Sequence, residues 1–287
     1  MRGRRPCQPS FVSLINVETL ITADHPIRKI KRMCDEVLTA MSSHFDEIYA
    51  VDGAPSIPPE TLLKGKVLQA LYTVRSDRQL CARMQTDLMF RWFVDLSLEA
   101  AVFDASTYSK NQARLLTHEV ADLFFSEVVE LARKHGWVSD DHFSVDGTLI
   151  EDVKPAVGAP ESAVAVAQMS ELQNRGFEPK SVGADKGYHT KEFVAGTREL
   201  GMVPHPARKD GQKTLHVLLT LAHAASQKVR KRIEEIFGWA KTTGCFRKSR
   251  YRGVERTHAQ GQYVIATWNL VRMAKLMLGP PPRHARA

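Results

Sequence analysis

The chain has 287 residues, 43% of them hydrophobic, and 40 Lys/Arg against 32 Asp/Glu give it a net charge of +8. That is enough apolar material for one large domain or two ordinary ones, which excludes a disordered tail. Its apolar runs are a few residues long, short of the ~20 needed to span a bilayer, and the opening MRGRRPCQPSFVS has no apolar signal-peptide centre, so a soluble, cytoplasmic protein is expected.

Residues 1–16 are expected to be a disordered N-terminus. From His25 to Ile48 the apolar residues Ile27, Ile30, Cys34, Val37, Met41, Phe45 and Ile48 recur at steps of three and four, predicting one amphipathic helix with Pro26 in its first turn. The turn-rich VDGAPSIPPE leads into a second helix opened by Pro58 and Pro59. Ser76 and Asp77 cap a third that runs to about Trp92, and Ser106 and Thr107 cap a long fourth ended by Gly136. Residues 17–136 therefore read as an all-helical domain, serving DNA binding or dimerisation.

At WVSDDHFSVDGTLIE the texture changes. His142 to Val145 predict a short strand that delivers Asp146 to its end. A helix from about Glu161 to Gly176 follows, then a strand SVGAD, a turn KGYHT, a helix to Leu200 and a strand around MVPHP. Strands alternating with helices predict a mixed or parallel sheet covered by helices, and hence an α+β or α/β second domain over residues 137–278. An apolar, helical connection is expected over residues 213–225. The last helices, QKVRKRIEEIFGWAKTT and HAQGQYVIATWNLVRMAKLML, flank the basic loop GCFRKSRYRGVER, and residues 279–287 form a basic tail.

Cys7, Cys34, Cys81 and Cys245 show no CxxC pairing, and the eleven His no HExxH spacing, which excludes the usual zinc and disulfide patterns. Residues 226–287 carry 14 Lys/Arg against three acidic residues, +11 in that segment and −3 in the rest. Such asymmetry suits a surface that neutralises nucleic-acid phosphates; the alternative is a solvated basic helix and tail. Trp239 and Trp268 read as core side chains rather than base-stacking platforms.

Three acidic residues are placed for metal chemistry. Asp146 and Asp185 each close an apolar strand before a Gly-containing turn, where side chains emerge at a sheet edge. Glu234 lies on a helix, with Arg230 four residues before it and Lys241 seven after, all near one face; neighbouring Glu235 competes with it. Carboxylates in such a set offer Mg²⁺ the hard oxygen donors it requires, as in-line displacement at phosphorus demands. The order strand-Asp, strand-Asp, helix-Glu is that of an RNase H-like nucleotidyl-transfer core.

The blocks SVDGTLIE, VGADKGYHTKEFV and KVRKRIEEIFGWAKT, with the K-S-R-Y-R-G loop and the W-N-L-V-R helix, resemble the catalytic blocks of DDE transposases of the insertion-sequence-five group. The run from about Val17 to Leu116 is similar to the helical domain of InsH-like members. The resemblance implies that Asp146, Asp185 and Glu234 are the catalytic, metal-binding residues. It implies a Mg²⁺ or Mn²⁺ cofactor, terminal inverted repeats and target DNA as partners, a homo-oligomer, and a bacterial, nucleoid-associated location. The Y-R-E-K signature of the family falls on Gln227, Arg230, Glu234 and Lys241, so its Tyr is replaced. Arg230, Lys241, Arg247, Lys248, Arg250 and Arg252 are the expected DNA-binding cations.

An RNase H-like core normally has two further antiparallel strands after its first Asp strand. Only 38 residues separate Asp146 from Asp185, and they read as loop then helix, so an internally deleted, incomplete core is expected. Two functions then compete: metal-dependent cleavage and transfer of DNA at element ends, and an inactive remnant that only binds DNA. An unrelated RNase H-like nuclease is the third.

Overall fold

The structure is a computed structural model that describes residues 16–49, 56–116, 118–139, 141–148, 150, 161–208 and 221–278. The basic tail, Cys7, and all of the expected disordered N-terminus but Asn16 lie outside the described residues, as does most of the 213–225 connection.

The first half is helical: α1 (Val17–Leu20), α2 (Pro26–Ala40), α3 (Ser42–Ile48), α4 (Pro59–Leu71), α5 (Asp77–Thr86), α6 (Leu88–Phe93), α7 (Ala105–Gln112) and α8 (His118–Lys134). Three expected helices are divided. The 25–48 helix breaks at Met41, whose ψ of −3° interrupts the ladder. That from Asp77 to Trp92 breaks at Asp87, whose carboxylate accepts from the Met89 and Phe90 amides and starts α6 as a new N-cap. The long fourth becomes α7, a 3₁₀ turn at Ala113–Leu116 and α8. Asp104 caps α7, accepting from the Ser106 and Thr107 amides, so the expected Ser/Thr cap shifts to the acidic residue before it. Gly136, at φ +68°, follows α8 in the left-handed region as expected.

The second half carries β1 (Phe143–Ser144), α9 (Glu161–Asn174), β2 (Ser181–Ala184), α10 (Lys191–Glu199), β3 (Val203–Pro206), α11 (Leu221–Arg230), α12 (Arg232–Lys241) and α13 (Val254–Met277). The strands form a parallel sheet in the order β1-β2-β3. The outer edge of β1 pairs with no described strand, as the incomplete core predicts. Helices α9 and α10 enclose a small apolar cluster around Val182, Ala184, Tyr188 and Phe193, and α11 packs across all three strands.

Gly183 makes that packing possible. A Cβ there would lie 2.7 Å from Ser226 Oγ on α11 and 3.2 Å from His142 Nε2, so only a glycine lets helix and sheet approach this closely.

The last helix does not stay with the sheet. Ala259, Tyr263, Ala266, Leu270, Met273 and Ala274 of α13 are buried in the core built by α2, α4 and α8. The Tyr263 hydroxyl donates to the Leu115 carbonyl. Trp239 and Trp268 meet at 5.3 Å between centroids, half-buried where α12 lies on α13, which supports reading them as packing residues. No described helix is long and apolar enough to cross a membrane.

Candidate active site

Parallel pairing brings the two aspartates together. Phe143 faces Val182 and Ser144 faces Gly183, and the Val145 amide donates to the Gly183 carbonyl at 2.8 Å. Carried two residues further, the register sets Asp146 beside Asp185 at one end of the sheet, with strands about 4.8 Å apart. Each carboxylate is held by a local turn: Asp146 Oδ1 accepts from the Gly147 amide at 2.9 Å, and Asp185 Oδ1 from the Gly187 amide at 2.7 Å.

Glu234 arrives from the helix pair. Here too the sequence predicts one helix and the structure has two, α11 ending at Arg230 and α12 starting at Arg232. Arg230 Nη1 donates to Asp146 Oδ2 at 3.4 Å, and its Nη2 lies 3.9 Å from Glu234 Oε1. One guanidinium is thus shared between a strand-borne and a helix-borne carboxylate.

The electrostatics record the convergence. Burial and the Asp185 charge push the Asp146 carboxyl above the ordinary value, with Glu234 acting in the same sense, while Arg230 and the Gly147 amide oppose. Like charges drawn toward one point favour a bound cation, and hard carboxylate oxygens are the donor chemistry of Mg²⁺ or Mn²⁺. In chemical kind the residues fit a divalent ion. Among the described residues, no three His, Cys, Asp or Glu side chains stand close enough to ligate one together; Asp146 and Glu234 meet at Arg230 instead.

Three further participants join the site, and of these the sequence marks only Gln227, as a departure from the family's signature. Gln227, in the family's Tyr position, donates its amide to the Ala184 carbonyl at 3.2 Å and to the His205 carbonyl at 2.6 Å, and its Oε1 is 3.4 Å from Arg230 Nε. It ties α11 to the end of β2, just before Asp185, and to β3. Glu161, at the start of α9, reaches Gly147, where an added Cβ would lie 3.3 Å from its Oε1 and 3.5 Å from the Tyr188 hydroxyl. Burial, then the charges of Glu161, Asp146 and Asp185, push the Tyr188 phenol up to about 12. Only the placement of Tyr188 three residues after Asp185 hints at this contact.

The other expected cations lie apart from the carboxylates. Lys241, Arg247, Lys248 and Arg250 line one groove at the far end of α12, and Arg252 is exposed in the turn before α13. Arg250 is committed in part to the helical half, donating to the Arg75 carbonyl at 2.8 Å.

Under the sheet three histidines cluster. His142 bonds Ser181 Oγ through Nδ1 at 2.9 Å and Ser226 Oγ through Nε2 at 3.3 Å. The His205 ring lies 6.4 Å from that of His142 and 5.7 Å from that of His223, and His223 Nε2 lies 3.0 Å from the Pro206 carbonyl. Burial lowers the pKa of His142, and burial with its two neighbours lowers that of His205.

Compared with known families, residues 15–114 match the model described as Transposase domain (DUF772), and residues 141–270 match that described as Transposase DDE domain. No curated protein and no solved structure matches the chain.

Proposed function

The chain belongs to the DDE transposases, and from that premise we propose that it binds the ends of an insertion sequence of the insertion-sequence-five group and cleaves and transfers DNA there. The observation that carries the reading is the sharing of one guanidinium by Asp146 and Glu234 beside Asp185. In this reading Asp146, Asp185 and Glu234 would hold Mg²⁺ or Mn²⁺, which when bound would supply Lewis-acid polarisation of the scissile phosphate.

The remaining work belongs to the protein's own residues. Arg230 steadies Asp146 and Glu234 and places positive charge where phosphate oxygens arrive. Gln227 fixes the helix that carries Arg230. Lys241 and its neighbours grip the backbone leading to the site, and a second copy of the chain engages the other element end. Purified protein with Mg²⁺ and DNA bearing element ends is expected to release cleaved ends, and Asp185→Ala to release none. Equal products from both would refute the assignment.

The short, three-stranded sheet favours a second reading, a remnant that binds DNA without cutting it. It predicts salt-sensitive binding indifferent to Asp146→Ala and Asp185→Ala, with no cleavage by the unmodified chain in Mg²⁺ or Mn²⁺.

A further inference from the structure

Two surface grooves meet where the helical half touches the C-terminal loop, and they share Arg75 and Arg250. The larger, about 560 Å³, is lined by Arg75, Lys241, Arg247, Lys248 and Arg250 with no described acidic side chain. The smaller, about 410 Å³, adds Arg78 and one acid, Asp77, whose carboxylate is taken up by the Gln69 amide and the Ser109 hydroxyl. None of the six cations forms an ion pair with a described residue. All are exposed except Lys241, which is half-buried. A belt of uncompensated positive charge therefore runs from the turn between α4 and α5 to the end of α12.

We propose that this belt is a backbone-binding site for duplex DNA, in which the helical half contributes Arg75 and Arg78 to hold the strand that runs on into the carboxylate site. The inference rests on the transposase reading and adds to it a role for residues outside the catalytic blocks. Its reach is suitable: Lys241 is seven residues beyond Glu234, roughly 10 Å along the helix at 1.5 Å per residue, or about three 3.4 Å steps of a DNA strand. Recognition here is of the backbone and not of unstacked bases, because the aromatic side chain at the groove, Tyr251, is half-buried and its hydroxyl is already engaged by Lys66 Nζ and Gln112 Oε1.

The Arg75 and Arg78 side chains can be removed with little risk to the fold. The groups of Arg75 that bond within the protein are its backbone amide, to Gln79 Oε1, and its carbonyl, to Arg250. The test compares the unmodified chain, Arg75→Ala/Arg78→Ala and a control of equal charge loss, Arg272→Ala/Lys275→Ala, two exposed positions near the far end of α13. Each is titrated with a short labelled duplex of arbitrary sequence over a salt series. The slope of log affinity against log salt is expected to fall by about 2 for the belt variant, roughly one per lost phosphate contact, and to hold for the control. A belt variant that tracks the control overturns the belt while leaving the transposase reading intact. An unmodified chain that binds no duplex overturns both, and tighter binding of single-stranded RNA overturns the choice of duplex DNA.

Discussion

Asp146 stands where burial, two neighbouring carboxylates and one guanidinium meet, and their balance leaves its ionised form disfavoured. Removing that charge should relieve repulsion in the absence of divalent ions. Asp146→Asn is therefore expected to raise the melting temperature in chelator-treated buffer, through a stability gain on the order of 0.5 kcal/mol, the size of a partly exposed like-charge pair. Added Mg²⁺ should stabilise the unmodified chain by ligand linkage and this variant much less; a larger Mg²⁺ shift in the variant would contradict the assignment. Gly183→Ala drives a methyl to 2.7 Å from Ser226 Oγ and is expected to cost about 1–3 kcal/mol in urea denaturation. The positions of Asp146, Asp185 and Glu234 were legible because strand ends and helical spacing are local patterns. Glu161 and Tyr188 were not, since nothing near them in the chain says that α9, the turn after β2 and the sheet edge converge, and Gln227 was marked only as a departure from the family's signature.

At the scale of elements, α11 is held on the sheet by Gln227, by Ser226 against His142, and by His223 against Pro206. The groups facing that interface are His142 from the segment entering the first strand, Ser181 from the second, His205 from the third, and His223 and Ser226 from the helix. Because the folded pKa values of His142 and His205 are lowered, the unfolded chain takes up protons first as pH falls below about 6.5. The stability that neutral histidines give is therefore full above that pH and is lost as the pH drops toward the folded values. Thermal melts from pH 7.5 to 5 are expected to show this loss, and His142→Gln to flatten part of it; identical pH profiles would remove the histidines from the explanation. Element types were readable from apolar period and turn residues, from the strand before Asp146 to the helix after Thr190. The breaks at Met41, Asp87 and Lys231 were not, because each lies inside an unbroken helical pattern and is decided by how the following segment packs.

For the whole molecule, the charge asymmetry along the chain translates into geometry: the basic loop before α13 docks on the helical half through Arg250 and Tyr251, and α13 then enters its core. A fragment of residues 17–136 would lack α13 and so uncover the faces of α2, α4 and α8 on which it packs, Phe124 opposite Tyr263 among them. Such a fragment is expected to melt broadly by circular dichroism, and a transition as sharp as that of the whole chain would show that α13 is dispensable. In the intact chain Leu270→Ala should cost about 2–5 kcal/mol, as for other fully buried leucines.

That arrangement also sets a schedule for synthesis. A ribosome delivers the first eight helices long before the segment that seals them, so the early half waits, partly open, until translation has passed Val254. Products cut short by premature termination would lack the closing helix and be left to proteases, so an accessible, unfinished form of this transposase-family protein would be short-lived.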